Sequence, residues 1–216
     1  MTIVKGLKNI NALVDKPKYE SGAKVRWLKL ADGQAVKIRF IEELDEDSAN
    51  YNEQRGLALV VKEHTNPKDY KRRALDTMES EGRDWAEEMH RKDPKAGWRA
   101  RLRFYCNVLV DDGLEEPYVA VWAMGVSKQS AFNTIREYAL ETGSISNLTW
   151  KLKRNGQGTE TSYTLIPGSP DKEPFDWSKV EPHPLEKALN KIPYAEQEAF
   201  YLGFDTPSGS SSSIDW

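Results

Sequence analysis

With 216 residues, 38% of them hydrophobic and 10% aromatic, the chain has material for one substantial domain with appendages or two small ones. No run approaches the roughly 18 apolar residues of a spanning helix, and the opening MTIVKGLKNI lacks a signal-peptide core. The single cysteine, Cys106, excludes an intramolecular disulfide framework and suits a reducing cytoplasm, where the protein is expected to work without a membrane partner.

The net charge of -3 conceals a separation of sign. Residues 1–40 hold nine Lys/Arg against three Asp/Glu, whereas residues 169–216 hold four Lys against nine Asp/Glu. Such a split suits a surface for an anion and a tail that avoids it.

In chain order, residues 1–22 read as a basic N-terminal arm carrying Lys5, Lys8, Lys16 and Lys18. A core is expected over 23–168. VRWLKL (25–30), a turn at Gly33 and AVKIRFI (35–41) read as a hairpin, with Val36, Ile38 and Phe40 inward and Lys37 and Arg39 outward. LALVVKEH (57–64) is a further strand. Residues 66–93 read as a helical insertion, with Pro67 in its first turn, a break at Gly82, and Lys68, Lys71, Arg72 and Arg73 crowding its first half.

WRARLRFYCNVLV (98–110) alternates strictly. Trp98, Ala100, Leu102, Phe104, Cys106, Val108 and Val110 share one face; Arg99, Arg101, Arg103, Tyr105, Asn107 and Leu109 share the other. Three aligned arginines suit a nucleic-acid-binding face or an ordinary solvated one. YVAVWAMG (118–125) is a strand, and 127–143 an amphipathic helix, capped by Ser127, buried along Phe132, Ile135, Tyr138, Ala139 and Leu140, and ended by Gly143. LTWKLKR (148–154) and TETSYTLIP (159–167) close as a hairpin. This element order predicts a mainly β protein with helical insertions, built on a five-stranded OB-fold barrel. Residues 169–205 read as a linker strapped down by Phe175 or Trp177 and followed by short helices, and 206–216 as a flexible serine-rich tail.

No nucleotide-binding glycine loop and no hydrolase or zinc-protease signature is present, so no catalytic residue is expected. Single-strand-binding proteins combine a cationic groove with aromatic platforms. Trp27, Tyr105, Trp122 and Trp150 lie on or beside a basic face and are the candidate platforms, although an aromatic of this kind taken alone is more often core. Lys37, Arg39, Arg99, Arg101, Arg103, Lys151 and Lys153 are the candidate phosphate contacts.

EHTNPKDYKRR (63–73), RLRFYCNVLVDD (101–112) and AVWAMGVSKQSAFNTI (120–135), with a basic N-terminus and an acidic C-terminus, resemble the single-stranded-DNA-binding, helix-destabilising proteins of tailed phages, of the T-even type. The resemblance implies an OB-fold core, cooperative self-association in coating unpaired strands during replication or recombination, and a C-terminus that recruits replication or recombination proteins, for which Ile214, Asp215 and Trp216 are the candidate tip. Members carry a zinc module of His and Cys ligands in the insertion. Here His64 stands at such a place, but 74–90 contains no cysteine, so no metal and no cofactor are expected. The rival expectation is a protein-interaction adaptor that binds no nucleic acid.

Overall fold

The computed structural model of the chain describes residues 25–114 and 116–204. The arm at 1–22 and the tail tip Ile214, Asp215 and Trp216 lie outside them. The fold is mainly β: one seven-stranded antiparallel sheet with a few helices.

Its strands are β1 (Ala35–Phe40), β2 (Leu59–Thr65), β3 (Arg73–Leu75), β4 (Arg101–Asp111), β5 (Tyr118–Gly125), β6 (Leu148–Asn155) and β7 (Ser162–Pro170). β4 pairs with three of the other strands. One edge pairs with β5 from Arg103↔Gly125 to Val110↔Tyr118. The other takes β2 along 101–105 and β1 along 108–111, end to end. One branch therefore runs β5–β4–β1–β6–β7, and a second carries β2 and β3 outward from the first half of β4.

The alternation in 104–110 is what makes β4 central. Phe104, Cys106, Val108 and Val110 are buried with Ile38, Phe40, Trp122, Trp150 and Leu152 in one apolar cluster. Helix α3 (Ala131–Thr142) closes that core with Ile135, Phe132 and Tyr138, and ends at Gly143 as the sequence predicts. Leu140 departs from the expected stripe and is exposed. Trp122 of β5 and Tyr163 of β7, from the two ends of the five-strand branch, meet edge-to-face at 5.5 Å. β7 follows β6 through a register shift near Thr149, where a side chain on Gly168 would lie 2.5 Å from the Thr149 carbonyl oxygen. Only glycine fits there.

Three expected elements differ. α3 begins at Ala131, preceded by Ser130 and not by Ser127, because residues 127–130 form a turn. Residues 25–30 do not form a hairpin with β1; Trp27 bridges Val121 in parallel, covering the free edge of β5. The first part of the insertion is not helical. Asn66 and Asp69 side chains accept backbone N–H groups of 68, 69 and 71, turning the chain directly into β3. Helix begins only at α1 (Met78–Glu81) and α2 (Trp85–Lys92), parted at Gly82.

The stretch after β7 is a strap fixed by side chains. Asp171 pairs with Arg39, a 3-10 turn at Leu185–Ala188 lies on the outer face of β4, and α4 (Tyr194–Leu202) packs on α2 through Tyr201 and Trp85.

Candidate nucleic-acid interface

Residue parity places Arg101, Arg103, Tyr105 and Asn107 on the outer face of β4. Cross-strand partners share a face, which adds Lys37, Arg39, Lys151 and Lys153. The strap crosses the middle of this surface. Asn107 Nδ2 donates to the His183 carbonyl (2.8 Å) and the His183 N–H donates to Asn107 Oδ1 (3.0 Å), so one side chain holds the strap as a strand would. Leu185 and Ala188 then cover Tyr105 and Val121.

Four expected contacts are corrected by burial. Tyr105 is 3% exposed, its hydroxyl donating to Glu63 Oε1 at 2.7 Å, and has no free ring face. Trp122 and Trp150 point inward, 1% and 0% exposed, and the Trp150 indole donates to the Ile145 carbonyl. They are core, as their neighbours on the inner parity require. Arg39 is buried: it pairs with Asp171, donates to the Ser146 carbonyl and Thr149 Oγ1, and lies over the Phe175 ring. It fastens the strap. Trp27 is half-buried, edge-on to Tyr105 at 6.3 Å.

The remaining cations fall into two groups. Lys37, Lys151 and Lys153 are exposed on β1 and β6, Lys37 directly opposite both Lys151 and Asp111. Ten residues along β4, roughly 30 Å away, the other group lines a cleft of about 310 Å³ between the β2–β3 turn and the start of β4. Arg73, Arg99, Arg101 and Arg103 line it together with Tyr70 and Leu102. Arg99 and Arg101 are exposed, Tyr70 is 60% exposed and Leu102 48%. Leu102, expected in the core, shares a face with its cross-strand partner Lys62 and is half-exposed at the rim of the cleft.

Glu63 anchors the inner wall. Its Oε2 lies 3.6 Å from Arg73 Nε and 3.5 Å from Arg103 Nε, while Arg73 Nε also donates to Thr65 Oγ1. Burial raises the Glu63 carboxyl above its ordinary range, against the lowering effect of Tyr105 and the two arginines. Burial likewise lowers the Arg73 guanidinium, helped by the like charge of Arg103. Gly97 permits the cleft floor: its φ is +89°, and a side chain there would meet Pro67 at 3.1 Å. Arg72, by contrast, is committed to Asp69 and to the Phe200 carbonyl. Sequence periodicity missed Tyr70, although the Asn66-Pro67 turn signal predicts a loop that would present it.

A second group sits on the opposite face of β2. His64, Asp76 and Asp84 each bring one donor atom within 4.8 Å of the others. His64 is fully buried, donates from Nδ1 to the Trp98 carbonyl (2.6 Å), and leaves Nε2 without a hydrogen-bond partner. Nε2 is 3.4 Å from Asp76 Oδ2 and 3.5 Å from Asp84 Oδ1. Those separations match the edge, roughly 3.3–3.5 Å, of a tetrahedron of ligands with bonds near 2.0–2.1 Å. The spacing suits a zinc ion, but the donor set does not match the family's: no thiolate is present, and Lys62 Nζ lies 2.6 Å from Asp76 Oδ2. The zinc module implied by the resemblance does not fit these residues.

No helix among the described residues is long and apolar enough to cross a membrane. No family model matches the chain, and no curated protein or solved structure is significantly similar to it.

Proposed function

We propose that this protein binds single-stranded DNA without sequence specificity, coating unpaired strands during phage DNA replication or recombination. The observation that carries the reading is the cleft at the start of β4: four arginines beside a mostly exposed tyrosine. Guanidinium groups neutralise phosphates, and Tyr70 offers a ring on which an unpaired base stacks. Duplex DNA, whose bases are already stacked, gains only the first of these contacts.

The strand run β5–β4–β1–β6–β7, with α3 between β5 and β6, supports a five-stranded, partly open barrel of OB type. The contact between Trp122 and Tyr163 brings its end strands together. In that arrangement the cleft lies between the second strand and the connection from the first, a usual place for oligonucleotides in OB-folds. Recruitment of replication or recombination proteins through Ile214, Asp215 and Trp216 belongs to the same proposal.

The test is fluorescence anisotropy with a labelled oligo-dT at several salt concentrations. Wild-type protein is expected to bind with an affinity that falls as salt rises. Arg99→Ala/Arg101→Ala, both exposed, is expected to bind more weakly, its log–log salt slope shallower by about 1.4 if each arginine meets one phosphate. A folded double variant with unchanged affinity and slope overturns the cleft assignment. A wild-type protein that binds no oligonucleotide at low salt leaves the protein-interaction adaptor as the better reading.

A further inference from the structure

The His64–Asp76–Asp84 group has the spacing of a metal site and the charge of an ion-pair network. Its ligands are oriented as metal ligands are. Asp84 Oδ2 accepts from the Thr77 N–H and the Gln197 amide, Asp84 Oδ1 from the Glu87 N–H, and Asp76 Oδ1 from the Met78 N–H. Such outer hydrogen bonds normally fix side chains around an ion. The positive charge comes from elsewhere. Lys62 stands two residues before His64 on β2, hence on the same face. Its side chain is 53% exposed, reaching from the surface to bring Nζ to the same Asp76 oxygen that faces His64.

We propose that the Lys62 ammonium stands in for a metal ion, so that His64, Asp76 and Asp84 form a latent divalent-cation site which Lys62 keeps closed. A divalent ion bound by Asp76 Oδ2 has to share that oxygen with an ammonium at ion-pair distance, and two like charges held so close repel. With the ammonium removed, two oriented carboxylates and one imidazole nitrogen are left at metal-ligand spacing with no cation between them. One nitrogen and two oxygens, without sulfur, suit Zn²⁺, Co²⁺ or Mn²⁺. The inference is independent of DNA binding, because none of these four side chains lines the arginine cleft.

The experiment uses the full-length protein, apo after chelator dialysis, titrated with Co²⁺. Bound cobalt reports itself through visible absorption, and stability is read by thermal melting. Wild type is expected to develop no cobalt bands at one equivalent and no change in Tm. Lys62→Met keeps the aliphatic stem and removes the charge. It is expected to bind one equivalent, at least about tenfold more tightly than wild type, and to gain Tm on cobalt addition. Lys62→Met/His64→Gln is expected to lose that binding. Wild type that takes up one equivalent as tightly as Lys62→Met overturns the proposal, because the site is then open with the lysine in place. A folded Lys62→Met that binds none overturns it too. If Lys62→Met does not fold, the wild-type titration still decides: stoichiometric cobalt refutes, and none supports.

Discussion

The two halves of β4 carry the same alternation and end in different environments. From Phe104 to Val110 the inner residues fill the core, while the outer Tyr105 and Asn107 lie beneath the strap. From Arg99 to Arg103 the outer residues line an open cleft, and the inner Leu102 is half-exposed. The difference lies in what covers each half. Alternation sorts side chains to two faces, but a face becomes a surface only where no other segment settles on it.

Trp150→Ala breaks the covered half most severely. Trp150 packs on Phe40 and Tyr138 at 5.6 and 4.9 Å and is fully buried. Its removal is expected to cost about 3–5 kcal/mol, read by urea denaturation. A cost below about 1 kcal/mol would return this ring to the list of platforms. Arg39→Met is the second break, expected to cost about 1–3 kcal/mol, because the Ser146 carbonyl and Thr149 Oγ1 lose a buried charged donor while Asp171 keeps access to water. Its oligonucleotide affinity, measured where the variant is still folded, is expected to equal that of wild type. Two arginines of one sequence pattern, Arg39 and Arg101, thereby separate into a fastener and a contact.

That separation marks the limit of what the sequence makes legible. The inner face of β4, the burial of Cys106 and the αL ending of α3 at Gly143 follow from local periodicity and are present. Tyr105 and Arg39 were unreadable because their partners are distant in the chain. Asn107 meets His183 across 76 positions and Arg39 meets Asp171 across 132. A composition of prolines and charges gives no sign of which sheet face a strap will cross. Trp122 and Trp150 were ambiguous for another reason: a tryptophan beside a lysine in sequence is on the opposite face from it in a strand.

Glu42 sharpens the covered half through pH. It accepts from the Asn107 N–H and Nδ2, which in turn hold His183, and burial pushes its carboxyl from 4.5 to about 7 despite those bonds. The folded state therefore binds this proton more tightly than the unfolded state. The resulting stability is fully present below about pH 4.5 and is lost as pH rises toward 7, by about 3 kcal/mol at most. Glu42→Gln is expected to remove that part of the slope in unfolding free energy between pH 4.5 and 7, leaving the contribution of Glu63, which has the same sign. An unchanged slope in Glu42→Gln would show that Glu42 is ionised in the fold and that Asn107 alone secures the strap.

The smallest expected effect tests the open half. Tyr70 stands on the β2–β3 turn, held by Asn66 and Asp69, with its ring mostly exposed beside Arg99 and Arg101. A surface ring on a polar turn contributes little to stability, so Tyr70→Ala is expected to change unfolding free energy by less than about 0.5 kcal/mol. If a base stacks on it, affinity for oligo-dT falls by about 1–3 kcal/mol, while the salt slope stays where it was, because no phosphate contact is lost. Tyr70→Phe keeps the ring and is expected to keep the affinity. This pattern is opposite to that of Arg99→Ala/Arg101→Ala, which flattens the slope. A Tyr70→Ala protein that binds oligo-dT as wild type does would reduce the cleft to its charges, and would leave the unpaired bases stacking on some surface other than this turn.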